Sequence, residues 1–243
     1  MSLIAVGVAC GGPAASPDAG GHGVDATTTP APASIGAHAL AYHRLGGDVS
    51  PLSTPAMTTR ESGSTMLVSV GRGQIGAFSL PTDSKGNTPY AQLGSTHPYT
   101  QWPSSGTALY AFAPAAGGSG HVVQAETPAA DEITLAAVEI VGRGVIQDVQ
   151  WREALAGSPL TTASVTTTGP ATLVAFWWGD ADTAGDKTAT PNNGFVVIDS
   201  ILLAGALVQC AVAAKEVAAA GSYDVTWTAT PLQGAQLWLV AVQ

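Results

Sequence analysis

Charged side chains are scarce in this sequence, because only 10% of its 243 residues are Asp, Glu, Lys or Arg. The 8 basic residues are outnumbered by 17 acidic ones, and the formal net charge is −9 at pH 7. A nucleic-acid-binding protein needs a basic face, and docking on anionic lipid needs a basic cluster. The composition therefore argues against both kinds of partner.

Long apolar runs and cysteines are also scarce. No run approaches the roughly 20 apolar residues that a membrane-spanning helix needs. The two cysteines, Cys10 and Cys210, stand far apart, so they form neither a disulfide framework nor a metal-ligand spacing. What the chain does have is a large share of Thr, Ala, Gly and Val, and enough length to bury a sizeable core. These features predict a soluble, acidic, β-rich protein.

The N-terminal segment, residues 1–35, has an unusual order of composition. The apolar run "MSLIAVGVAC" ends at Cys10 and is followed by a stretch rich in Gly, Pro, Ala and Thr, which is typical of a linker. This order resembles a bacterial lipoprotein, with a signal core, a cysteine to be lipidated and a tether. The run lacks a basic start, and Gly7 stands where lipoproteins usually carry leucine. The alternative interpretation is an additional β-strand.

The rest of the chain contains an internal repeat. The stretch "SPLTTASVTTT" (158–168) is similar to "SPLSTPAMTT" (50–59), 108 positions earlier, and at the same offset His43 and Arg44 align with Trp151 and Arg152. After small shifts, "TMLVSVGRG" (65–73) aligns with "ATLVAFWWG" (171–179), and "ETPAADEITLAAVEI" (126–140) with "ATPLQGAQLWLVAVQ" (229–243). The sequence therefore predicts a duplication, with one repeat over 36–142 and another over 143–243.

Each repeat has the periodicity of β-strands. In "GSYDVTWTAT" (221–230) apolar and polar residues alternate, as in a half-buried antiparallel strand, and Gly- and Pro-rich turns separate the runs. Residues 147–156 and 211–220 contain strong helix formers, but their counterparts in the first repeat carry Pro114 and paired glycines. Each segment is therefore predicted to be a strand followed by a turn, with room for one helical turn. The fold class is all-β: two tandem antiparallel β-sandwiches of about seven strands each, immunoglobulin-like or jelly-roll-like. They form either two packed domains or one larger sandwich.

A resemblance to a known class of modules supports this fold. The succession "PTDSKGNT", "TALYAFAPAAGGSGHVV" and "EITLAAVEI" in the first repeat resembles the repeated β-sandwich modules of secreted bacterial surface proteins. Those modules have a D-x-x-G-N turn, an aromatic strand and a closing strand in the same order. The resemblance implies an extracytoplasmic β-sandwich, but most such modules have no known function, so no active-site residue is carried over. The second repeat lacks the D-x-x-G-N turn.

A group of aromatic residues is the first candidate binding site. Tyr99, Trp102 and Tyr110 lie close together in sequence, and Trp178 ends an apolar strand beside an acidic loop. A sugar can pack its C–H face on a flat ring while nearby polar groups bind its hydroxyls. These four residues are therefore candidate ligand-binding residues, with a polysaccharide as ligand. The alternative is that they cover the edge of the core.

The acidic loop is the candidate metal site. Asp180, Asp182 and Asp186 fall within seven residues, and three carboxylates so close repel one another unless they point into water or share a cation. The spacing does not fit an EF-hand. The expectation is either a calcium site of another geometry or a solvated loop, and no other cofactor is predicted.

No catalytic constellation is recognisable. "GRGQIG" (71–76) has the spelling of a dinucleotide-binding loop but is not followed by a predicted helix, and there is no G-x-S-x-G motif. Cys210 lies in an apolar strand, where an inert thiol is expected. Glu126, Glu132 and Glu139 are expected on strand faces and ends. We therefore predict that the protein is not an enzyme.

The main functional hypothesis is a non-enzymatic bacterial surface or matrix protein, structural or adhesive, secreted or anchored through Cys10. Its partners would be a polysaccharide or another surface protein, and exposed edge strands also favour self-association. The alternatives are a carbohydrate-binding module with a calcium loop, a structural component of a phage or virion, and a hydrolase of unrecognised type.

Overall fold

A computed structural model describes residues 33–43, 50–74, 78–126, 132–142, 144–157, 159–180 and 187–243. Within these ranges every regular element is a β-strand. The first half contains β1 (Ser34–His43), β2 (Leu52–Ser53), β3 (Met57–Thr58), β4 (Ser62–Arg72), β5 (Thr82–Asp83), β6 (Ala91–Gln92), β7 (His97–Pro98), β8 (Gly106–Ala116), β9 (Ser119–His121), β10 (Val123–Ala125) and β11 (Ile133–Val141). The second half contains β12 (Ile146–Gly157), β13 (Leu160–Thr161), β14 (Val165–Thr167), β15 (Ala171–Asp180), β16 (Thr188–Pro191), β17 (Val196–Ile201), β18 (Val208–Val217), β19 (Gly221–Tyr223), β20 (Thr226–Thr230) and β21 (Gln233–Val242).

The two halves have the same antiparallel topology. The large sheet of the first half has the order β1-β11-β4-β8-β6, with β7 also paired to β8, and that of the second half has the order β12-β21-β15-β18-β17. The small sheets correspond as well, because β2-β10-β5 matches β13-β20-β16 and β3-β9 matches β14-β19. The all-β fold with two sandwich halves is thus confirmed. The predicted boundary at residues 142 and 143 lies between β11 and β12.

The pairing register shows which residues of the two repeats correspond. Val70 pairs with Leu135 in the first half, and Phe176 pairs with Trp238 in the second. These are equivalent pairs, because the alignment of 65–73 with 171–179 and that of 126–140 with 229–243 match the same residues. In the first strands the correspondence differs from the alignment: Ala41 is opposite Leu135, and Trp151 is opposite Trp238. Trp151 therefore occupies the place of Ala41 and not that of His43. The chain between this strand and the shared "SPL" is two residues shorter in the second repeat, which a constant offset could not reveal.

Three apolar cores explain why the central strands are apolar on both faces. In β4 of the first half, Met66 and Val68 face the small sheets, while Leu67 between them faces the second half. In β15, Leu173 and Ala175 pack against the small sheets of their own half, and alternate residues face the first half. The two large sheets therefore stack face to face, and each also carries its own small sheets on the opposite face. Ala31–Gln243 forms one compact unit.

The two segments rich in helix formers are strands, as predicted. Residues 147–156 lie within β12, and Ala211–Val217 belong to β18. Along β18, Val212 faces the core between the halves and Ala211 and Ala213 face the core of the second half. Burial of alternate side chains in two different cores outweighs the weak local preference for helix.

The molecule has two distinct ends. At the first, which we call the loop end, β4, β12 and β15 finish and β8, β11, β18 and β21 begin. Glu132 of the first half binds the backbone of Val208 of the second there, so the loop ends of both halves coincide. At the opposite end, the terminal end, Thr172 binds the carbonyl of Ala33, and Gln243 pairs with Val145.

None of the described residues forms a helix long and apolar enough to cross a membrane.

Candidate functional site

An exposed tryptophan lies on a closely hydrogen-bonded loop at the loop end. Between β7 and β8, the Tyr99 amide donates to the Ser105 carbonyl (2.8 Å), and the Trp102 amide donates to the Tyr99 carbonyl (3.1 Å). The backbone amide and the hydroxyl of Ser105 both donate to the Trp102 carbonyl, each at 2.8 Å. These bonds hold the backbone of Trp102 in one conformation, while its side chain is 45% exposed.

This loop, which belongs to the first half, is attached to the second half. The Thr100 amide donates to both carboxylate oxygens of Glu153 in β12, at 3.1 and 3.0 Å. Beside it, the ring of His97 stacks on Trp151 with 3.8 Å between ring centroids, and burial lowers the pKa of His97. The position of the loop is therefore set by contacts across the two halves.

The four predicted ligand-binding aromatics do not form one exposed platform. Tyr99 and Trp178 meet edge to face at 6.0 Å, but both are buried. Tyr110 lies in the core of the first half, where burial raises its pKa to about 12. A sugar needs an open ring face, so the ligand-binding prediction now depends on Trp102. Tyr99 and Trp102 stand in one loop and Trp178 stands near the end of β15, where a single sequence does not distinguish buried rings from exposed ones; Tyr110 lies in the middle of β8.

Other large apolar side chains are exposed at the same end of the molecule. Leu155 lies near the end of β12, Leu203 follows β17, and Leu232 immediately precedes β21; their exposed fractions are 57%, 54% and 68%. Together with Trp102 they give the loop end an apolar character, which the sequence does not indicate because isolated leucines in turns form no periodic pattern.

The predicted calcium site is only partly within the described residues. Asp180 is the last residue of β15 and lies at the loop end. Asp182 and Asp186 lie outside the described residues, so the prediction that these three carboxylates bind calcium stays a prediction. Across the described ranges, no group of three or more His, Cys, Asp or Glu side chains is arranged to hold a metal ion.

A buried polar network organises the first half. The Asp83 carboxylate accepts hydrogen bonds from Tyr90 Oη (2.7 Å), Asn87 Nδ2 (2.7 Å) and His121 Nε2 (3.1 Å). It also accepts the Lys85 amide (2.9 Å) and the Asn87 amide (3.0 Å), which closes the turn. These are the residues of the D-x-x-G-N turn, so the motif that carries the resemblance has a structural role. The network itself was not predicted, because His121 is distant in sequence.

The hydrogen bonds determine the ionisation of this network. Burial alone would raise the pKa of Asp83, but the bonds from His121, Tyr90 and Asn87 outweigh it, and the pKa lies well below its usual range. Burial and the neighbouring Asp83 charge raise the pKa of Tyr90. His121 Nε2 donates to the Asp83 carboxylate, which can only accept, and its Nδ1 lies 2.9 Å from Thr59 Oγ1.

The order hydroxyl, imidazole, carboxylate is also that of a hydrolase triad. Here, however, Thr59 is 6% exposed and His121 is fully buried. The Thr59 hydroxyl oxygen also accepts the Gly118 amide at 3.1 Å. A substrate carbonyl has no access to a nucleophile in this position, so the arrangement is suited to holding strands together.

Glu132 lies immediately before β11 and Glu139 lies within it, as expected, and both are buried. Glu139 accepts bonds from the amides of Ala37 (3.0 Å) and Arg60 (2.8 Å) and from the hydroxyl of Ser64 (2.5 Å). Glu132 accepts bonds from two amides of the second half. Each carboxylate satisfies backbone donors at a strand irregularity or an interface, a role that sequence periodicity does not indicate. Glu126 immediately follows β10, at a strand end as expected, and is exposed.

The remaining candidate motifs are structural. Cys210 is buried, and burial together with the charge of Asp199 raises the pKa of its thiol to about 12, as expected for an inert cysteine. In "GRGQIG", Gly71 and Arg72 end β4, and the last two residues of the motif, 75 and 76, lie outside the described ranges.

A groove of about 520 Å³ at the terminal end is lined by Ser62, Pro114 and Val145, among others.

No protein-family model matches the chain, and no curated protein or solved structure is significantly similar to it. Of the predicted resemblance to bacterial surface modules, the all-β architecture with two groups of antiparallel sheets is confirmed, and no family is identified.

Proposed function

We propose that this protein is a non-enzymatic structural or adhesive module of a bacterial extracytoplasmic surface. The main observation in favour is the position of Trp102, which is held by a rigid loop at the end of the molecule opposite Ala33 and Gln243. A module attached to a surface through its chain termini would present this end outwards. Anchoring through Cys10 fits the same orientation, because the linker joins the described chain at the terminal end.

The buried ionisable groups support a structural role over a catalytic one. Asp83, His121, Glu132 and Glu139 are all enclosed, and each is bound to groups of other strands or turns. Enzyme active sites need reactive groups at an accessible cleft. These residues instead satisfy buried donors, which makes the fold rigid. A structural component of a phage or virion would use the same rigidity and is the alternative setting.

Carbohydrate binding is the second candidate function, and the exposed ring of Trp102 favours it. Exposed Gln101 and Ser104 beside it supply the polar groups that sugar hydroxyls require. In that case the Asp180 loop would be the calcium-dependent part of the site.

The test is retention of the full chain on a glycan array and on isolated bacterial envelope polysaccharide, with calcium and then with excess chelator. An adhesive module that uses the loop end loses retention in Trp102→Ala and keeps it in Val145→Ala, a control at the terminal end. Retention that is equal in both variants contradicts a role for the loop end.

The non-enzymatic assignment needs a separate measurement. Chromogenic ester, glycoside and peptide substrates should show no turnover above buffer. Turnover that is lost in Thr59→Val, in a variant whose melting temperature is unchanged within a few degrees, would overturn the assignment.

A further inference from the structure

A hydrogen bond in the loop between β7 and β8 connects a buried side chain to an exposed one. The Tyr99 hydroxyl donates to Oε1 of Gln101 at 3.1 Å. Tyr99 is fully buried, and its ring packs edge to face on Trp178 at 6.0 Å, whereas Gln101 is exposed. A residue of the core therefore fixes the orientation of an amide at the surface.

This hydrogen bond determines which end of the Gln101 amide a ligand meets. The oxygen is held towards Tyr99, so the nitrogen, which carries two N–H donors, is directed away from that hydroxyl. The next residue is Trp102, whose side chain is 45% exposed. The loop thus presents oriented hydrogen-bond donors next to an exposed aromatic ring.

The loop has no charged residues of its own. Residues 95–107 contain no Asp, Glu, Lys or Arg, and burial lowers the pKa of His97, which favours its neutral form. Glu153 of β12 contacts the loop, but both of its carboxylate oxygens accept the Thr100 amide. A ligand in contact with this loop therefore meets an aromatic ring, an amide and hydroxyl groups.

We propose that Trp102 and Gln101 bind an uncharged polysaccharide, and that Tyr99 is the positioning residue for this contact. The inference rests on carbohydrate binding, the second candidate function, and specifies its ligand class. A pyranose with equatorial hydroxyls has a flat C–H face, which packs on the ring of Trp102. A hydroxyl at the edge of the same sugar accepts an N–H of Gln101.

Charge argues against the other classes of polysaccharide. A uronic acid or a sulfated sugar is bound through Arg or Lys side chains that pair with the anion, and the loop contains neither. The formal net charge of −9 also repels a polyanion. An amino sugar requires a carboxylate, and that of Glu153 is already bound to the backbone. An uncharged sugar needs only stacking and hydroxyl hydrogen bonds, which this loop supplies.

The contact is preorganised but small. Gln101 is already oriented by Tyr99, and the hydrogen bonds of the Tyr99–Ser105 loop hold the backbone of Trp102. Little conformational entropy is therefore lost when a sugar binds. One ring and one amide give a weak contact, so firm retention on a polymer requires several copies of the protein on one surface.

The experiment measures binding of the full chain to immobilised polysaccharides by biolayer interferometry, in a buffer that contains calcium. Glucan, mannan and galactan are the uncharged probes, alginate and polygalacturonate the anionic ones, and chitosan the cationic one. We expect binding to at least one uncharged probe. Its dissociation constant should change less than about twofold between about 0.05 and 0.5 M salt, because no ion pair is formed.

Variants test the role of each side chain. Trp102→Ala should weaken binding at least about 10-fold, through loss of the stacked ring. Tyr99→Phe keeps the buried ring and removes only the hydroxyl, so binding should weaken about 3- to 10-fold, the effect of one hydrogen bond. The matched control is Tyr223→Phe, which removes a hydroxyl bonded to the Ala219 carbonyl at 2.8 Å and should bind as wild type does.

A double variant distinguishes positioning from a general effect on the fold. In the Gln101→Ala background, Tyr99→Phe should have no further effect on binding, because the hydroxyl acts through the amide. If Tyr99→Phe binds as wild type does, or weakens binding equally with and without Gln101, the proposal is wrong.

The panel of probes separates this inference from the function on which it rests. Binding confined to the anionic or cationic probes, or lost at high salt, overturns the uncharged ligand class and leaves carbohydrate binding in place. Binding to no probe overturns both, and leaves the structural role of the protein.

Discussion

Replacing Asp83 by alanine should remove a large part of the stability of the first half. The carboxylate is the acceptor for both Tyr90 Oη and His121 Nε2. Asn87 Nδ2 keeps a second bond, to the Ala116 carbonyl at 2.9 Å. Two buried side-chain donors therefore lose this partner, and each such loss costs about 1–3 kcal/mol. The backbone amides of Lys85 and Asn87 lose the same acceptor, so the cost for the two side chains is a lower bound.

We therefore expect Asp83→Ala to lower the free energy of unfolding by about 4 kcal/mol. That is a large fraction of the roughly 5–15 kcal/mol that stabilises a typical protein. The measurement is urea denaturation followed by circular dichroism. The matched control is Asp224→Ala in the second half, where the carboxylate accepts one exposed bond from Asn193 at 3.2 Å, and a change within about 0.5 kcal/mol is expected. A loss below about 1 kcal/mol in Asp83→Ala would refute the reasoning.

The difference in unfolding free energy between wild type and Asp83→Ala should also depend on pH, in a direction set by the pKa of Asp83. The folded-state pKa of Asp83 lies below its unfolded value of about 3.9. Its stabilisation is therefore fully present above that unfolded value and is lost as the pH falls towards the folded pKa. The difference in unfolding free energy between wild type and Asp83→Ala should shrink between about pH 5 and pH 2. A constant difference would contradict the assignment.

Three further outcomes are expected. Gly71→Ala should lower the melting temperature by several degrees, because a Cβ atom there would overlap with Nε1 of the Trp178 ring. An unchanged melting curve would contradict this and show that the ring can move aside. In the Cys10→Ser background, Cys210 should not react with iodoacetamide at about pH 8 while the protein is folded, because burial raises the pKa of its thiol to about 12. It should react once the protein is unfolded in urea. Fast labelling of the native protein would contradict this. Glu132→Ala should destabilise the protein by about 2 kcal/mol, since two amides of the second half lose their acceptor, and denaturation by urea measures the effect.

The strands and the duplication could be predicted because they depend on periodicity. Alternation in β20 and the residue before it places Val225 and Trp227 in the core, and the similarity between repeats overruled the helix preference of β18. The sequence leaves two alternatives for how the repeats associate, two packed domains or one larger sandwich. Strands that are apolar on both faces indicate that both faces are buried, but they do not indicate which sheet covers each face.

The candidate site was harder to predict, for physical reasons. Tyr99 and Trp102 stand three residues apart in the same loop, yet one is fully buried and the other is 45% exposed. That difference arises from Trp178, a residue of the other repeat that packs on Tyr99. The Asp83 network likewise depends on His121, the last residue of β9, which lies two residues before Val123, the residue of β10 that pairs with Asp83. Contacts between distant segments carry no local signal in a single sequence.

The pairing of the two large sheets also has a consequence that follows from their being in one chain. Two separate subunits joined by such an interface would come apart on dilution, but covalently linked repeats meet at a fixed effective concentration. Their association is therefore independent of how dilute the protein is. Linkage also removes the requirement that both partners be identical. One repeat could specialise in the Asp83 network and the other in the tryptophan-rich core around Trp177 and Trp227, while both kept the topology that they share.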